Sequence, residues 1–294
     1  MKQIGFLLLL CMALSSCSSD DDEQVVNSDG RKLRQLTIIE VPITRATLTD
    51  NTSSLEASWD KNDNATYFNV SSFNSTTIDY GTLTASSSNS TSMFQGTVRC
   101  KTGDKVSLLY PAKNPILSGS SRGKYTISLD GQKGTLDDIS NNFHYIYGVA
   151  EVTSVTESTA NATIDNMQSL LAVCKFSFTD GSIPIPVKTL TINYYDNNYN
   201  FPMGYPLSAM LTPTSDVGTL DLVYPDQYDW SDTNLSVTLD NESSSGAYVA
   251  LFPYSPTGYI HFNVTNSTGT YTGTAKASLK AGKYYPVTLK LSKQ

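Results

Sequence analysis

Apolar and polar residues alternate in short stretches along most of this chain. The clearest alternations cover residues 66–73, 105–109, 125–129, 187–194 and 259–264, with glycine, asparagine, aspartate or proline between them. Successive side chains of a β-strand point to opposite faces, so a period of two predicts half-buried strands. No long stretch has the period of an amphipathic helix, and only residues 137–147 are predicted to hold a short helix or turn. The pattern predicts an all-β protein made of β-sandwiches.

A polar stretch divides the pattern into two halves. Residues 155–166 are rich in serine, threonine and asparagine, and a new apolar run starts at Leu170. The length after residue 17, about 280 residues, suffices for two ordinary domains. We therefore expect one β-sandwich over residues 34–160 and a second over residues 161–294, joined near residues 155–166.

The strands at the two ends of this body have the clearest apolar faces. In residues 36–43, Ile39, Val41 and Ile43 are spaced by two, and Pro42 cannot donate a ladder hydrogen bond, which indicates an edge or terminal strand. Near the other end the same spacing relates four residues, while Lys290 and Lys293 lie on the opposite face, as lysines that protect an edge strand do. Those four residues are Tyr285, Val287, Leu289 and Leu291.

The beginning of the chain is different. Lys2 is followed by an apolar run over residues 6–14, two serines and Cys17, the order of a secretory signal; the run is too short to span a bilayer. Residues 14–17 resemble the lipobox of bacterial lipoprotein signal peptides. That resemblance implies removal of residues 1–16, acylation of Cys17 and anchoring in outer-membrane lipid, whereas the alternative is an ordinary signal with a chance cysteine. The acidic residues 20–23 fall in a linker over residues 17–33. They either form a solvated, disordered segment or act as an export signal that sends the lipoprotein to the outer surface.

Composition and motifs narrow the function classes. A net charge of −7 argues against nucleic acid, which requires a basic face. No CxxC or Cys/His cluster is present, so no metal or cofactor is expected, and Cys100 and Cys174 are predicted to be separate thiols, with a disulfide as the alternative. His144 and His261 are far apart and no catalytic motif accompanies them, so the chain is predicted not to be an enzyme.

A glycan-binding surface lipoprotein is the main rival hypothesis. Trp59 and a dense group of aromatic residues in the second half could stack on sugar rings, although tyrosine is also common in half-buried strands. The group comprises Tyr194, Tyr195, Tyr199, Tyr205, Tyr224, Tyr228 and Trp230.

An ordered set of short motifs after Cys17 resembles the bacterial fimbrillin family, the subunits of type V pili. No single motif is specific, and at Leu109-Tyr110-Pro111 the family often has two tyrosines before the proline. In chain order the motifs are Ile43-Thr44-Arg45-Ala46, Trp59-Asp60-Lys61-Asn62-Asp63, Phe94-Gln95-Gly96-Thr97-Val98, Leu109-Tyr110-Pro111, Gln132-Lys133-Gly134 and Leu279-Lys280-Ala281-Gly282-Lys283-Tyr284-Tyr285.

The resemblance implies two tandem transthyretin-like β-sandwich domains and assembly with other fimbrial subunits by β-strand exchange. In that family a trypsin-like protease cuts after an arginine and releases the first strand; Arg45 and Ala46 occupy the matching positions here. The alternatives are that Arg45 is a plain surface residue, or that cleavage uses Arg31, Lys32 or Arg34. The last apolar strand, residues 285–291, is the candidate donor to a neighbour. The implied location is a fimbrium on the outer membrane, in reach of host or bacterial surface ligands.

Overall fold

Extended strands account for most of the folded chain, as the alternating pattern predicts. The computed structural model describes residues 29–42, 47–195, 202–216, 218–223, 234–253 and 259–294. The strands are β1 (Lys32–Pro42), β2 (Thr47–Asp50), β3 (Leu55–Ser58), β4 (Asn64–Asn69), β5 (Tyr80–Ala85), β6 (Thr91–Cys100), β7 (Lys105–Tyr110), β8 (Tyr125–Ser128), β9 (Ile146–Val155), β10 (Thr159–Ser169), β11 (Ala172–Thr179), β12 (Val187–Tyr195), β13 (Pro202–Met203), β14 (Ser208–Thr212), β15 (Thr219–Val223), β16 (Leu235–Ser243), β17 (Ala247–Leu251), β18 (Tyr259–Asn266), β19 (Gly269–Ala275), β20 (Tyr284–Lys290) and β21 (Ser292–Lys293). The all-β prediction is confirmed.

Helical structure is confined to short turns within the described ranges. A 3₁₀ turn covers Val70–Ser72, an α-helical turn covers Leu136–Asp138, and a π-helical turn, Ile139–Phe143, continues it. The side chain of Thr135 caps the second turn by accepting a hydrogen bond from the Asp138 amide. The helix predicted within residues 137–147 is therefore present. None of the helices in the described part of the chain could cross a membrane.

The first half forms a sheet that closes on itself. Its strand order is β1-β10-β9-β7-β4-β5-β6, with β6 returning to β1. Alternate side chains of these strands fill the interior, among them Leu83, Phe94 and Val106, which are fully buried. A closed sheet leaves no free edge, so each of these strands is held by hydrogen bonds on both sides.

The second half packs two sheets face to face. One has the order β17-β11-β20; the other runs β13-β12-β18-β19-β21, and β16 also pairs with β12. Phe176 of β11 and Phe262 of β18 meet between the sheets with ring centroids 5.0 Å apart. This contact lies in a second hydrophobic core, separate from the core of the first half.

Segments of the first half also pack into the second core. The β2–β3 hairpin buries Leu48 and Leu55 there, and β8 pairs with β14, which buries Tyr125 and Ile127 in the same core. The two halves are thus not simple consecutive units, because chain from the first half completes the second.

The predicted linker over residues 155–166 is wrong. β9 and β10 form a hairpin of the closed sheet, and the chain passes to β11 between residues 169 and 172. The residues of β10 that face the core include Ala160 and Ala162, whose small side chains give a weak hydrophobic signal among exposed polar neighbours. The boundary drawn between residues 160 and 161 therefore cuts a strand.

The predicted edge position and inward face of the first strand are also wrong in part. β1 is an internal strand, paired with β10 on one side and with β6 on the other. Leu36, Ile38 and Val41 are fully buried, whereas Ile39 is 44% exposed. The cause is a bulge between Ile38 and Val41, where Glu40 has a φ of 51° and shifts the alternation by one residue. Ile43 lies outside the described residues.

Candidate functional site

The first strand and its surroundings are the site that the sequence singled out. β1 pairs in parallel with β10, with Gln35 opposite Thr159 and Ile39 opposite Thr163. It pairs antiparallel with β6, with Lys32 opposite Cys100 and Ile38 opposite Phe94. Burial of its three inward aliphatic side chains corresponds to about 5–9 kcal/mol of gross transfer free energy. β1 is therefore an integral part of the first core.

A buried ion pair fixes the chain at the start of β1. Arg31 Nε donates to Asp104 Oδ2 at 2.7 Å, and Arg31 Nη2 donates to Asp104 Oδ1 at 2.6 Å. The same carboxylate accepts hydrogen bonds from Asn69 Nδ2 and from the Lys101 amide, each at 3.1 Å. The hydrogen bonds that Arg31 itself donates to Asp104 raise the pKa of Arg31. We call the pair Arg31–Asp104 the clamp; sequence reasoning treated Arg31 only as a protease site.

The other alternative protease sites near residue 30 are also held by the folded chain. Arg34 is buried, donating from Nε to the carbonyl of Thr156 at 2.7 Å and from Nη1 to the carbonyl of Cys100. Lys32 lies within β1 and pairs with Glu157 at 2.5 Å. A protease that needs an extended, accessible backbone would have to pull β1 out of its sheet to reach these positions.

An aromatic cluster closes the core around the other end of β1. Trp59 is fully buried, and its ring centroid lies 4.8 Å from that of Phe94 and 5.3 Å from that of Tyr110, both in edge-on geometry. Trp59 Nε1 donates to the carbonyl of Val41 in β1 at 3.2 Å. Three of the short motifs thus meet at one place, and they meet against the first strand.

A glycine in one of these motifs allows two strands to come close. A Cβ atom added to Gly96 of β6 would lie 2.6 Å from the carbonyl oxygen of Thr82 in β5. Gly96 is also opposite Leu36 of β1. Any larger residue would push β6 away from β5 beside the first strand.

The candidate cleavage position, Arg45–Ala46, lies outside the described residues, as does Cys17. Its flanks are described: β1 ends at Pro42 and β2 begins at Thr47. The first flank belongs to the closed sheet, and the second belongs to a hairpin that packs on the second core. A cut after Arg45 would therefore separate two segments that are held by different parts of the protein.

Polar contacts attach the β2–β3 hairpin to the second half. Asp50 Oδ2 accepts hydrogen bonds from Lys175 Nζ at 2.8 Å and from the Tyr248 hydroxyl at 2.5 Å. Burial alone would raise the pKa of Asp50, but the hydrogen bonds from Lys175 and Tyr248 outweigh it and lower the pKa to about 2. This contact holds the hairpin independently of β1.

The candidate donor strand, β20, is held less firmly than β1. It pairs with β11 along one side, and no described strand pairs with its other side. Its inward residues Tyr285, Val287 and Leu289 are only half-buried, although Leu291 just beyond it is buried.

The remaining candidate residues form no site in the described chain. His144 is fully buried, and desolvation lowers the pKa of His261. Cys100 and Cys174 are free thiols in different cores, which confirms the prediction of separate thiols. Burial raises the pKa of the Cys100 thiol to about 11 and that of Cys174 to about 12, so neither is a reactive thiolate.

The aromatic residues proposed for glycan stacking are mainly buried where they are described. Trp59, Tyr194 and Tyr205 are at most 5% exposed, so none of the three offers a ring face to a sugar. Tyr199, Tyr224, Tyr228 and Trp230 lie outside the described residues, and only the backbone of Tyr195 is described. The described part of the chain gives the glycan-binding hypothesis no support.

Comparisons with known proteins give a fold match. No family model matches the chain, and no curated protein is a significant match. Among solved structures, a proposed cell adhesion protein from Bacteroides ovatus aligns over 90% of this chain and 97% of its own, with a TM-score of 0.52 and 17% identity. A fimbrial protein from the same species aligns over 86% and 47%, with a TM-score of 0.38 and 12% identity. A tip fimbrial protein from Porphyromonas gingivalis aligns over 82% and 81%, with a TM-score of 0.39 and 11% identity.

The first match extends over nearly the whole length of both chains, so it concerns the complete two-core architecture rather than one sandwich. The chain therefore shares its overall fold with this proposed cell adhesion protein.

Proposed function

We propose that this chain is a structural subunit of a bacterial surface fimbria rather than an enzyme. It is exported as a lipoprotein anchored through Cys17 to the outer membrane. It assembles with other fimbrial subunits by β-strand exchange after cleavage between Arg45 and Ala46. The observation that carries this proposal is the position of β1, which completes a closed sheet but continues into the rest of the chain only through residues 43–46.

Loss of β1 would leave a site that fits an incoming strand. The backbone of β6 would lose its pairing with residues 32–42, and the backbone of β10 would lose its pairing with residues 35–39. The vacated space would be lined by the core that now contacts Leu36, Ile38 and Val41. A strand with the same apolar spacing would restore the backbone hydrogen bonds and the core together, which is β-augmentation.

The folded chain favours Arg45 over the nearby basic residues as the cleavage position. Arg31 and Arg34 are buried, and Lys32 is inside a strand with partners on both sides. After a cut at Arg45 the hairpin β2–β3 would stay in place, because Leu48 and Leu55 are buried in the second core and Asp50 pairs with Lys175. Cleavage would then free β1 without unfolding the remainder.

The neighbour's β20 is the candidate incoming strand. Tyr285, Val287 and Leu289 provide apolar side chains at the required spacing of two. One-sided pairing makes withdrawal of β20 from its own sheet less costly than withdrawal of β1. Donation would still remove these residues from the second core, so the new contacts with the neighbour must compensate for that loss.

Cleavage and polymerisation of an Arg45→Ala variant test the proposal. With a trypsin-like protease the parent should yield a chain beginning at Ala46, and cells should carry fibres visible by electron microscopy. Arg45→Ala should remain uncut and cells that express it should lack fibres. Lys61→Ala, which removes an exposed basic residue in another turn, should be cut and should form fibres like the parent. Normal fibres containing uncut Arg45→Ala subunits would refute cleavage-triggered exchange.

A further inference from the structure

The second half contains an apolar groove that the proposed strand exchange does not use. The groove lies between β20 of one sheet and the end of β19 in the other, and it has a volume of about 210 Å³. Phe176 and Phe262 are in contact at its floor, and Tyr285, Val287 and Leu289 form one wall.

Both strands beside the groove have unused backbone edges in the described chain. The Val173 amide donates to the carbonyl of Lys283, and the Leu291 amide donates to the carbonyl of Thr179. In a parallel ladder alternate residues form hydrogen bonds with the same neighbouring strand, so the odd-numbered residues of β20 bond to β11. The backbone groups of residues 286, 288 and 290 therefore point away from β11. On the other side of the groove, β21 pairs only with Tyr271 and Thr272 of β19, and Gly273 lies against the carbonyl of Lys290. Among the described strands, this leaves Thr274 and Ala275 without a second neighbour.

The size and shape of the groove favour a peptide strand over a small molecule. Its volume is below the roughly 300 Å³ at which pockets for drug-sized ligands begin. It runs beside an open strand edge, and its wall residues repeat every second position along β20. An extended segment can bond to such an edge and place alternate side chains in the groove. Pro286 offers no amide and the carbonyl of Lys290 lies against Gly273 of β19, so pairing would centre on Thr288.

The charge around the groove selects an acidic partner. Lys276 is exposed at its rim, and residues 276–294 contain five lysines and no acidic residue. Two copies of this chain brought together at the same groove would bring the two Lys276 side chains close to each other. Like charges at close range disfavour that pairing, whereas an acidic segment would be attracted.

We propose that this groove binds an extended, acidic segment of another protein, which pairs with the outer edge of β20 and inserts alternate apolar side chains. Binding needs no cleavage at Arg45, because the groove is open in the intact chain. It also opposes strand donation, because the groove exists only while β20 remains in its own sheet. A subunit occupied in this way would keep its last strand.

Binding of a labelled peptide to the intact chain tests the proposal. The probe is a nine-residue peptide in which valine alternates with threonine, glutamate or aspartate, followed by fluorescence anisotropy. One control peptide has the same composition with its valines grouped together, and another has lysine in place of the acidic residues. We expect saturable binding of the probe alone, weakened by added salt because the rim charges are exposed.

Two variants and a matched control locate the bound peptide. Val287→Asn should weaken binding about tenfold, because its amide would be buried without partners when the groove is filled. Val223→Asn makes the same change at an exposed valine of β15 that does not line the groove, and should bind like the parent. Ala277→Phe fills the groove from its rim and should also reduce binding, and thermal unfolding checks that each variant is folded.

Several outcomes would overturn the proposal. One is no binding of the probe to the parent; another is equal binding by Val287→Asn and Val223→Asn. A third is a dimer in sedimentation that Val287→Asn abolishes, which would make a second copy the occupant. Arg45→Ala should bind the probe normally, so failure of fimbrial assembly and failure of groove binding are distinguishable.

Discussion

Replacing Arg31 with glutamine tests whether the clamp holds β1 in its sheet. The change removes both charged hydrogen bonds to Asp104 and leaves that carboxylate buried, with only Asn69 and the Lys101 amide as donors. Breaking one side of a buried ion pair typically costs about 3–5 kcal/mol. Since two donors remain, we expect the lower end, about 3 kcal/mol, in the free energy of unfolding.

The assay is urea unfolding of the chain expressed without residues 1–17. Lys32→Gln is the matched control, because it removes a neighbouring basic residue whose partner, Glu157, is largely exposed. That surface pair should contribute little, because water screens an exposed ion pair. Arg31→Gln should therefore lose clearly more stability than Lys32→Gln.

Local opening distinguishes the clamp from a general contribution to stability. In Arg31→Gln, the amides of residues 32–38 should exchange with solvent faster than amides of β9, whereas the parent should protect both strands alike. After cleavage at Arg45, the loss of about 3 kcal/mol should weaken retention of the free strand about a hundredfold. If Arg31→Gln and Lys32→Gln agree within about 0.5 kcal/mol, the clamp does not hold the strand.

Three further predictions follow from single residues. Cys17→Ala should abolish palmitate incorporation and membrane association, and persistent labelling would contradict the lipobox assignment. Asp50 has a lowered pKa in the folded chain, so its ionised carboxylate stabilises the fold. That contribution to the free energy of unfolding should be complete above about pH 4 and lost as pH falls toward 2. Asp50→Asn should therefore destabilise the parent by about 2 kcal/mol at neutral pH and by much less near pH 2, as measured by unfolding at each pH. Gly96→Ala should destabilise by more than about 1 kcal/mol, because its Cβ would lie 2.6 Å from the Thr82 carbonyl oxygen; an unchanged melting temperature would contradict that.

The alternation of apolar and polar residues predicted where strands occur more reliably than which strands pair and which side chains face the core. The alternation in residues 187–194 and 259–264 matched real strands, and the ordered motifs led to the first strand as the site. The strand predicted over residues 66–73 is present only up to Asn69, where a 3₁₀ turn follows it. Pattern failed at β10, where alanines carry the inward face, and at β1, where the bulge at Glu40 exposes Ile39. In both cases the side chains that face the core are chosen by strand pairing, which a short window of sequence does not contain.

Residue type and a period of two were enough to predict the all-β class, and the count of charged residues gives the net charge of −7. By contrast, long-range contacts in the folded chain place β1 inside its sheet, bury Arg31 against Asp104 and bring β8 to the second half. Arg31 and Asp104 are 73 positions apart, and they meet because β1 and β7 belong to one closed sheet. Burial of a charged residue depends on what distant chain brings to it, so no local pattern distinguishes a buried arginine from an exposed one.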